Sequence, residues 1–125
     1  MNRLTAAFII LALAVGAGLA GYFYIERSAL TMIEKLEADR KITVESGTMS
    51  DGRAESIRKE WEEREALFAA ILPHDEIDEI EINIMNLTDY CSQGLTEEYI
   101  KALNGCINRL EHIRESEKPT FRNVF

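Results

Sequence analysis

Four side chains in the second half of the chain have the types and spacing of a metal site. His74, Asp78 and Glu81 recur about one helical turn apart on a predicted third helix. An antiparallel fourth helix would bring His112 to the height of His74 and Asp78. Imidazole and carboxylate ligands suit Zn²⁺ or another divalent cation, so a metal site is one hypothesis. The sharper HExxH motif is absent, and the alternative is that the acids only stabilise the start of the helix.

Other catalytic chemistry has little support in the sequence. There are two histidines, no GxSxG motif and no Gly-rich phosphate loop. Cys91 and Cys106 would lie about 12 Å out of register along the same hairpin. A disulfide needs Cα atoms within about 7 Å, so we expect each cysteine to be a small buried residue instead. The sequence predicts no enzyme and no cofactor.

Trp61 and three apolar residues at the C-terminus are candidates for binding another protein. Trp61 lies in an acidic helix and is expected to be the largest core side chain, with an exposed docking residue as the alternative. An extended tail, residues 119–125, carries Phe121, Val124 and Phe125. Folding back over the protein is the default for such a tail, and insertion into a partner's groove is the alternative.

The element that holds all of these residues in place is N-terminal. Leu4–Ile25 contains no charged residue and would be about 33 Å long as a helix, against a hydrocarbon core of about 30 Å. We therefore predict a transmembrane anchor over residues 1–25, kept as a signal-anchor. The alternative is a secretory signal cleaved after residues 18–20. The apolar run, however, is longer than the usual signal core of about 7–15 residues.

The charges that flank this segment predict its orientation. Arg3 and the terminal amine precede it, while Arg27 and Lys35 follow it and weaken the bias. The positive-inside rule then favours a cytoplasmic N-terminus. We expect a single-pass protein of the cell membrane with an extracytoplasmic C-terminal domain.

Hydrophobic periodicity predicts helices throughout residues 26–118. We expect the anchor to continue as an unbroken helix through residues 26–41, whereas the β-branched residues 42–44 favour a helix less strongly. Three further helices are expected, each preceded by a break: a loop at 46–52, Pro73 and a turn at 92–94. The stripes predicted to form the core are Ala29, Met32, Ile33, Leu36; Ala54, Ile57, Trp61, Phe68, Ile71; Ile77, Ile80, Ile84, Leu87, Cys91; and Tyr99 or Ile100, Leu103, Ile107, Leu110, Ile113.

Short connections between successive helices define the fold class. They make neighbouring helices antiparallel. The prediction is an all-α protein whose N-terminal transmembrane helix continues into an antiparallel up-down four-helix bundle. Gly105 lies inside the fourth helix, where glycine costs about 1 kcal/mol relative to alanine, so a packing reason or a kink is expected there.

The charge balance restricts the class of partner. Of 14 basic residues only Arg3 precedes Glu26, which leaves 13 basic and 22 acidic residues in the domain, a net charge of −9. This argues against nucleic acid, whose binders need a basic face, and against a domain lying flat on anionic lipid. The negative charge fits better with binding of a basic partner or a cation, or with a role only in keeping the domain soluble. Two cysteines do not make a disulfide scaffold.

Taken together, several short motifs resemble the bacterial "domain of unknown function 4363" family of small single-span proteins. The features that carry the resemblance are the N-terminal span, Trp61 in its acidic helix, HDEID at 74–78, LEHI at 110–113 and NVF at 123–125. The resemblance implies an anchored, extracytoplasmic helical protein from spore-forming or related Gram-positive bacteria, with no assigned activity. It also places His74 and His112 within recurring motifs.

Two functional hypotheses follow. The favoured one is a structural or interaction module that binds another envelope or membrane protein, or a second copy of the chain. The alternative is a sensor-like or divalent-metal-binding domain that uses His74, Asp78, Glu81 and His112.

Overall fold

A computed structural model describes residues 2–117 and shows four α-helices. They are α1 (Arg3–Ser46), α2 (Asp51–Ile71), α3 (His74–Gln93) and α4 (Thr96–Glu117), with no strand in this range. The all-α prediction is confirmed. The predicted tail, residues 119–125, lies outside the described residues.

The first helix is continuous from the apolar segment into the bundle. Its N-cap is Asn2, whose side chain accepts a hydrogen bond from the Thr5 amide at 2.9 Å. It is the one helix of the described range that is long and apolar enough to cross a membrane, and residues 2–20 are exposed. Residues 42–44, where the sequence favours a helix less strongly, also belong to α1. Thr43 is buried against the bundle, and the helix ends three residues later, at Ser46, where Gly47 caps it in the left-handed conformation (φ 70°).

The connections between the remaining helices follow the sequence signals. The Ser50 hydroxyl accepts a hydrogen bond from the Arg53 amide at 3.3 Å and caps α2. Pro73 separates α2 from α3, because its ring cannot continue a helix. Gly94, at φ 69°, ends α3 and begins the turn into α4.

The helices form an antiparallel up-down bundle. α1 packs against α2 and α4, and α3 packs against the same two helices on the diagonal opposite α1. The predicted stripes form the core, with two exceptions: Ile71 is 47% exposed and Cys91 is only partly buried. The prediction for Ile71 was wrong because α2 ends at this residue, and Leu72 takes the core place instead.

Candidate functional site

The α3–α4 hairpin aligns residues as the turn position predicts. His112 Nε2 lies 3.7 Å from Glu76 Oε1, and Arg109 pairs with Glu79 one turn further along. This alignment confirms that His112 reaches the height of residues 74–78.

The four predicted metal ligands nevertheless lie apart. His112 faces Glu76 on the α4 side of α3, whereas Asp78 and Glu81 act on Glu65 of α2. Within residues 2–117 no three His, Cys, Asp or Glu side chains form a group that could hold a metal ion. The arrangement does not assemble the proposed site, and metal binding by these residues stays a prediction.

Acidic side chains crowd the α2–α3 side of the bundle. Partial burial and a hydrogen bond to the neighbouring Glu81 carboxyl raise the pKa of Glu65, and the charges of Glu62 and Asp78 act in the same direction. These neighbouring carboxyls therefore make it easier to protonate Glu65, and together they repel any negatively charged ligand.

The bundle end furthest from the apolar segment holds a buried polar network that the sequence analysis missed. Asp39 of α1 accepts hydrogen bonds from Arg53 Nε of α2, at 2.7 Å, and from the Tyr99 hydroxyl of α4. Arg53 Nη2 also donates to the Thr48 carbonyl at 2.9 Å. One carboxylate thus connects three helices. The available signal was that Asp39 lies three residues after Leu36, on the buried stripe of α1.

The groups around this network are held in their neutral or paired forms. Burial and the hydrogen bond to Asp39 raise the pKa of Tyr99. Burial and the neighbouring Asp51 carboxyl raise the pKa of Cys91 to about 11, so its thiol is protonated at neutral pH. Cys91 and Cys106 are both free, as predicted. The network has the chemistry of a structural tie between helices, without an activated nucleophile.

A surface cleft of about 400 Å³ opens beside the network, between α1 and α2. Ala38, Ile42 and Ile57 give it an apolar wall. Its two cations are already paired: Arg53 binds Asp39, and Lys35 Nζ lies 3.9 Å from Glu60. The cleft therefore offers no unpaired charge to a ligand.

The outer face of α3 is the surface with the character of a protein-binding site. Ile82 and Met85 are 60% and 48% exposed and lie one helical turn apart. Asp75, Asp78 and Asp89 are exposed on the same helix. Apolar side chains framed by carboxylates suit a partner that carries apolar and basic groups.

The predicted interaction residues have different outcomes. Trp61 is 1% exposed and stacks on Phe68, with ring centroids 5.7 Å apart and planes at 16°. The ring is enclosed in the core, in agreement with the expectation that Trp61 is the largest core side chain, and a role of Trp61 in binding a partner stays a prediction. Phe121, Val124 and Phe125 lie outside the described residues.

Comparison with known proteins gives one match. The model of a family described as "Domain of unknown function (DUF4363)" matches residues 19–124. No curated protein and no solved structure matches the chain.

Proposed function

The chain belongs to the DUF4363 family, and from that premise we propose that it is a membrane-anchored, extracytoplasmic interaction module. In this proposal α1 crosses the cell membrane once with its N-terminus in the cytoplasm. The bundle is then displayed outside, where the outer face of α3 binds another envelope or membrane protein.

The observation that carries the proposal is the exposed apolar pair on α3. Ile82 and Met85 belong to a helix whose other face supplies Ile80, Ile84 and Leu87 to the core. Leaving a second apolar pair in water brings no folding stability, whereas contact with a partner would remove it from water. Two exposed apolar residues are a small surface, so we expect them to be the centre of a weak or transient interface.

Charge and rigidity support the same proposal. With a net charge of −9 beyond the anchor, electrostatic attraction favours a basic partner and repels acidic ones. α1 has no break between the apolar segment and the bundle, so the position of α3 relative to the membrane is fixed. A partner in the same membrane would therefore meet the α3 face at a constant height.

Site-specific photocrosslinking in native membranes tests the proposal. A benzoylphenylalanine at Met85 should give one discrete adduct, and the same probe at exposed Glu63 of α2 should give none. The adduct should be lost in an Ile82→Asp background and weakened by high salt. An adduct of twice the chain mass would identify a second copy as the partner. Absence of any adduct from Met85 would overturn the assignment of this face.

A further inference from the structure

The connection between α2 and α3 places an exposed apolar residue beside the anchor. Ile71 is the last residue of α2 and is largely exposed, whereas the next residue, Leu72, is buried in the core. Ile71 forms one wall of a cleft of about 280 Å³ whose other wall is α1, from Ala17 through Gly21 to Ile25.

Small residues of α1 line the side of the cleft that faces Ile71. Gly18 and Gly21 line the cleft, and no heavy atom lies within 4 Å of a Cβ built at either one. The space next to them is therefore empty of protein atoms in the described range, and its walls are mostly apolar.

The cleft lies at the depth of the lipid. If Leu4–Ile25 crosses the bilayer, its length of about 33 Å exceeds the hydrocarbon core of about 30 Å by only about two residues. Gly21 is then about 6 Å inside the end of the apolar segment, at 1.5 Å per residue. Ile25, the last residue of the segment, is 1% exposed because the bundle encloses it. The bundle therefore packs against one face of the final turn of the span, the face that carries Ile25, rather than beginning beyond it.

We propose that the α2–α3 turn is seated in the boundary of the bilayer, where lipid hydrocarbon contacts Ile71 and fills the cleft beside Gly18 and Gly21. The partner of this surface is the bilayer itself. Phe23 and Tyr24 are exposed at the same end of the bundle, where aromatic rings favour the headgroup region. Exposed Asp75 follows the turn, so the surface suits zwitterionic rather than anionic headgroups. The inference rests on the proposed membrane anchoring.

Depth-dependent fluorescence quenching on the full chain tests the proposal. An environment-sensitive nitrobenzoxadiazole dye is attached to Ile71→Cys, and to Leu95→Cys as the matched control. Leu95 is an exposed residue in the α3–α4 turn at the opposite end of the bundle. Both proteins are reconstituted into phosphatidylcholine vesicles with and without lipids brominated near the headgroup. The parent chain, labelled in parallel, measures the background from Cys91 and Cys106.

The outcomes separate the inference from its premise. The dye at position 71 should show a blue-shifted emission and lose intensity with brominated lipid, while the dye at position 95 should be unaffected. Unquenched emission from position 71 in chains that float with the vesicles would overturn the seating alone. Failure of the parent chain to float with the vesicles would overturn the proposed anchoring. Trp61 emission, from the single tryptophan in the core, verifies that each variant is folded.

Discussion

A single buried carboxylate, Asp39, connects α1, α2 and α4, so its hydrogen bonds should contribute measurably to stability. Tyr99→Phe removes the hydroxyl that donates a hydrogen bond to the Asp39 carboxylate, and we expect this carboxylate to stay buried. Hydrogen bonds to charged groups contribute about 1.5–3 kcal/mol, and we expect a loss of this size in the free energy of unfolding. Urea titration of the detergent-solubilised chain, followed by Trp61 emission, measures it.

The matched control for that experiment is Tyr90→Phe. Tyr90 packs partly buried against the same core, so removal of its hydroxyl reports the general cost of a Tyr→Phe change. A loss in Tyr99→Phe no larger than in Tyr90→Phe would show that the bond to Asp39 contributes nothing.

Glu65 should destabilise the fold at neutral pH. Its pKa is raised above the ordinary value of 4.5, so the ionised form is less favourable in the folded than in the unfolded chain. Glu65→Gln should therefore stabilise the bundle at pH 7, by less than about 1 kcal/mol because the group is partly solvated. The gain should disappear as the pH falls below 4.5, where the carboxyl is protonated in both states. Thermal unfolding at several pH values checks this.

Exposed Glu63 of the same helix provides the control for Glu65. Glu63→Gln removes the same charge from the net balance but not from the cluster with Glu81. Equal stabilisation by both substitutions would assign the effect to net charge and contradict the local explanation.

The separation of the predicted metal ligands shows which part of a site a sequence can predict. The height of His112 followed from the turn at Gly94, because an antiparallel hairpin fixes the axial register. The side of the helix on which each residue lies was not fixed in this way. Glu81 of α3 lies beside Glu65 of α2, whereas His112 of α4 lies beside Glu76 of α3, and this depends on the packing of the whole bundle, which a hairpin alone does not reveal.

The sequence predicted the helix ends correctly where proline or glycine restricts or changes the backbone conformation. Pro73 and Gly94 end α2 and α3 within a residue or two of the predicted places. The β-branched residues 42–44 weakened the prediction of a helix, but they belong to α1 because burial of Thr43 outweighs a weak local propensity. Ile71 was misplaced because periodicity cannot tell whether the last residue of a helix still faces the core.

The glycine inside α4 has a packing neighbour. A Cβ on Gly105 would lie 3.0 Å from Asn83 Nδ2, which is the end of a flexible side chain beside a surface cleft. Because Asn83 can move into that space, we expect Gly105→Ala to stabilise the chain by up to about 1 kcal/mol through helix propensity. Urea titration measures the change in the free energy of unfolding.

The double variant Gly105→Ala with Asn83→Ala isolates the contact. The stabilisation should be larger in the Asn83→Ala background than in the parent, since no side-chain tip has to move. Destabilisation by Gly105→Ala in both backgrounds would show that α4 needs a glycine at this position for its backbone.

The whole protein is organised by α1, which is both the candidate membrane span and one quarter of the bundle. No loop separates the apolar segment of α1 from the part of α1 that packs in the bundle. A tilt or shift of the apolar segment therefore also moves the three helices that pack against α1. If α1 crosses the membrane as proposed, the side of the membrane on which the α3 face is displayed depends on the orientation of α1. The proposed binding of an extracytoplasmic partner requires the orientation in which the bundle lies outside the cell.

Arg3 is the residue on which the proposed orientation depends most. Four basic residues lie on the other side of the span and within the roughly 15–20 residues that count in the positive-inside rule: Arg27, Lys35, Arg40 and Lys41. Arg3→Glu should therefore lower the fraction of chains whose bundle is outside. Labelling of Glu63→Cys with a membrane-impermeant maleimide, in intact and in permeabilised cells, measures this fraction. Arg58→Glu is the control because Arg58 lies beyond that window, and an Arg3→Glu fraction equal to this control would show that Arg3 does not set the orientation.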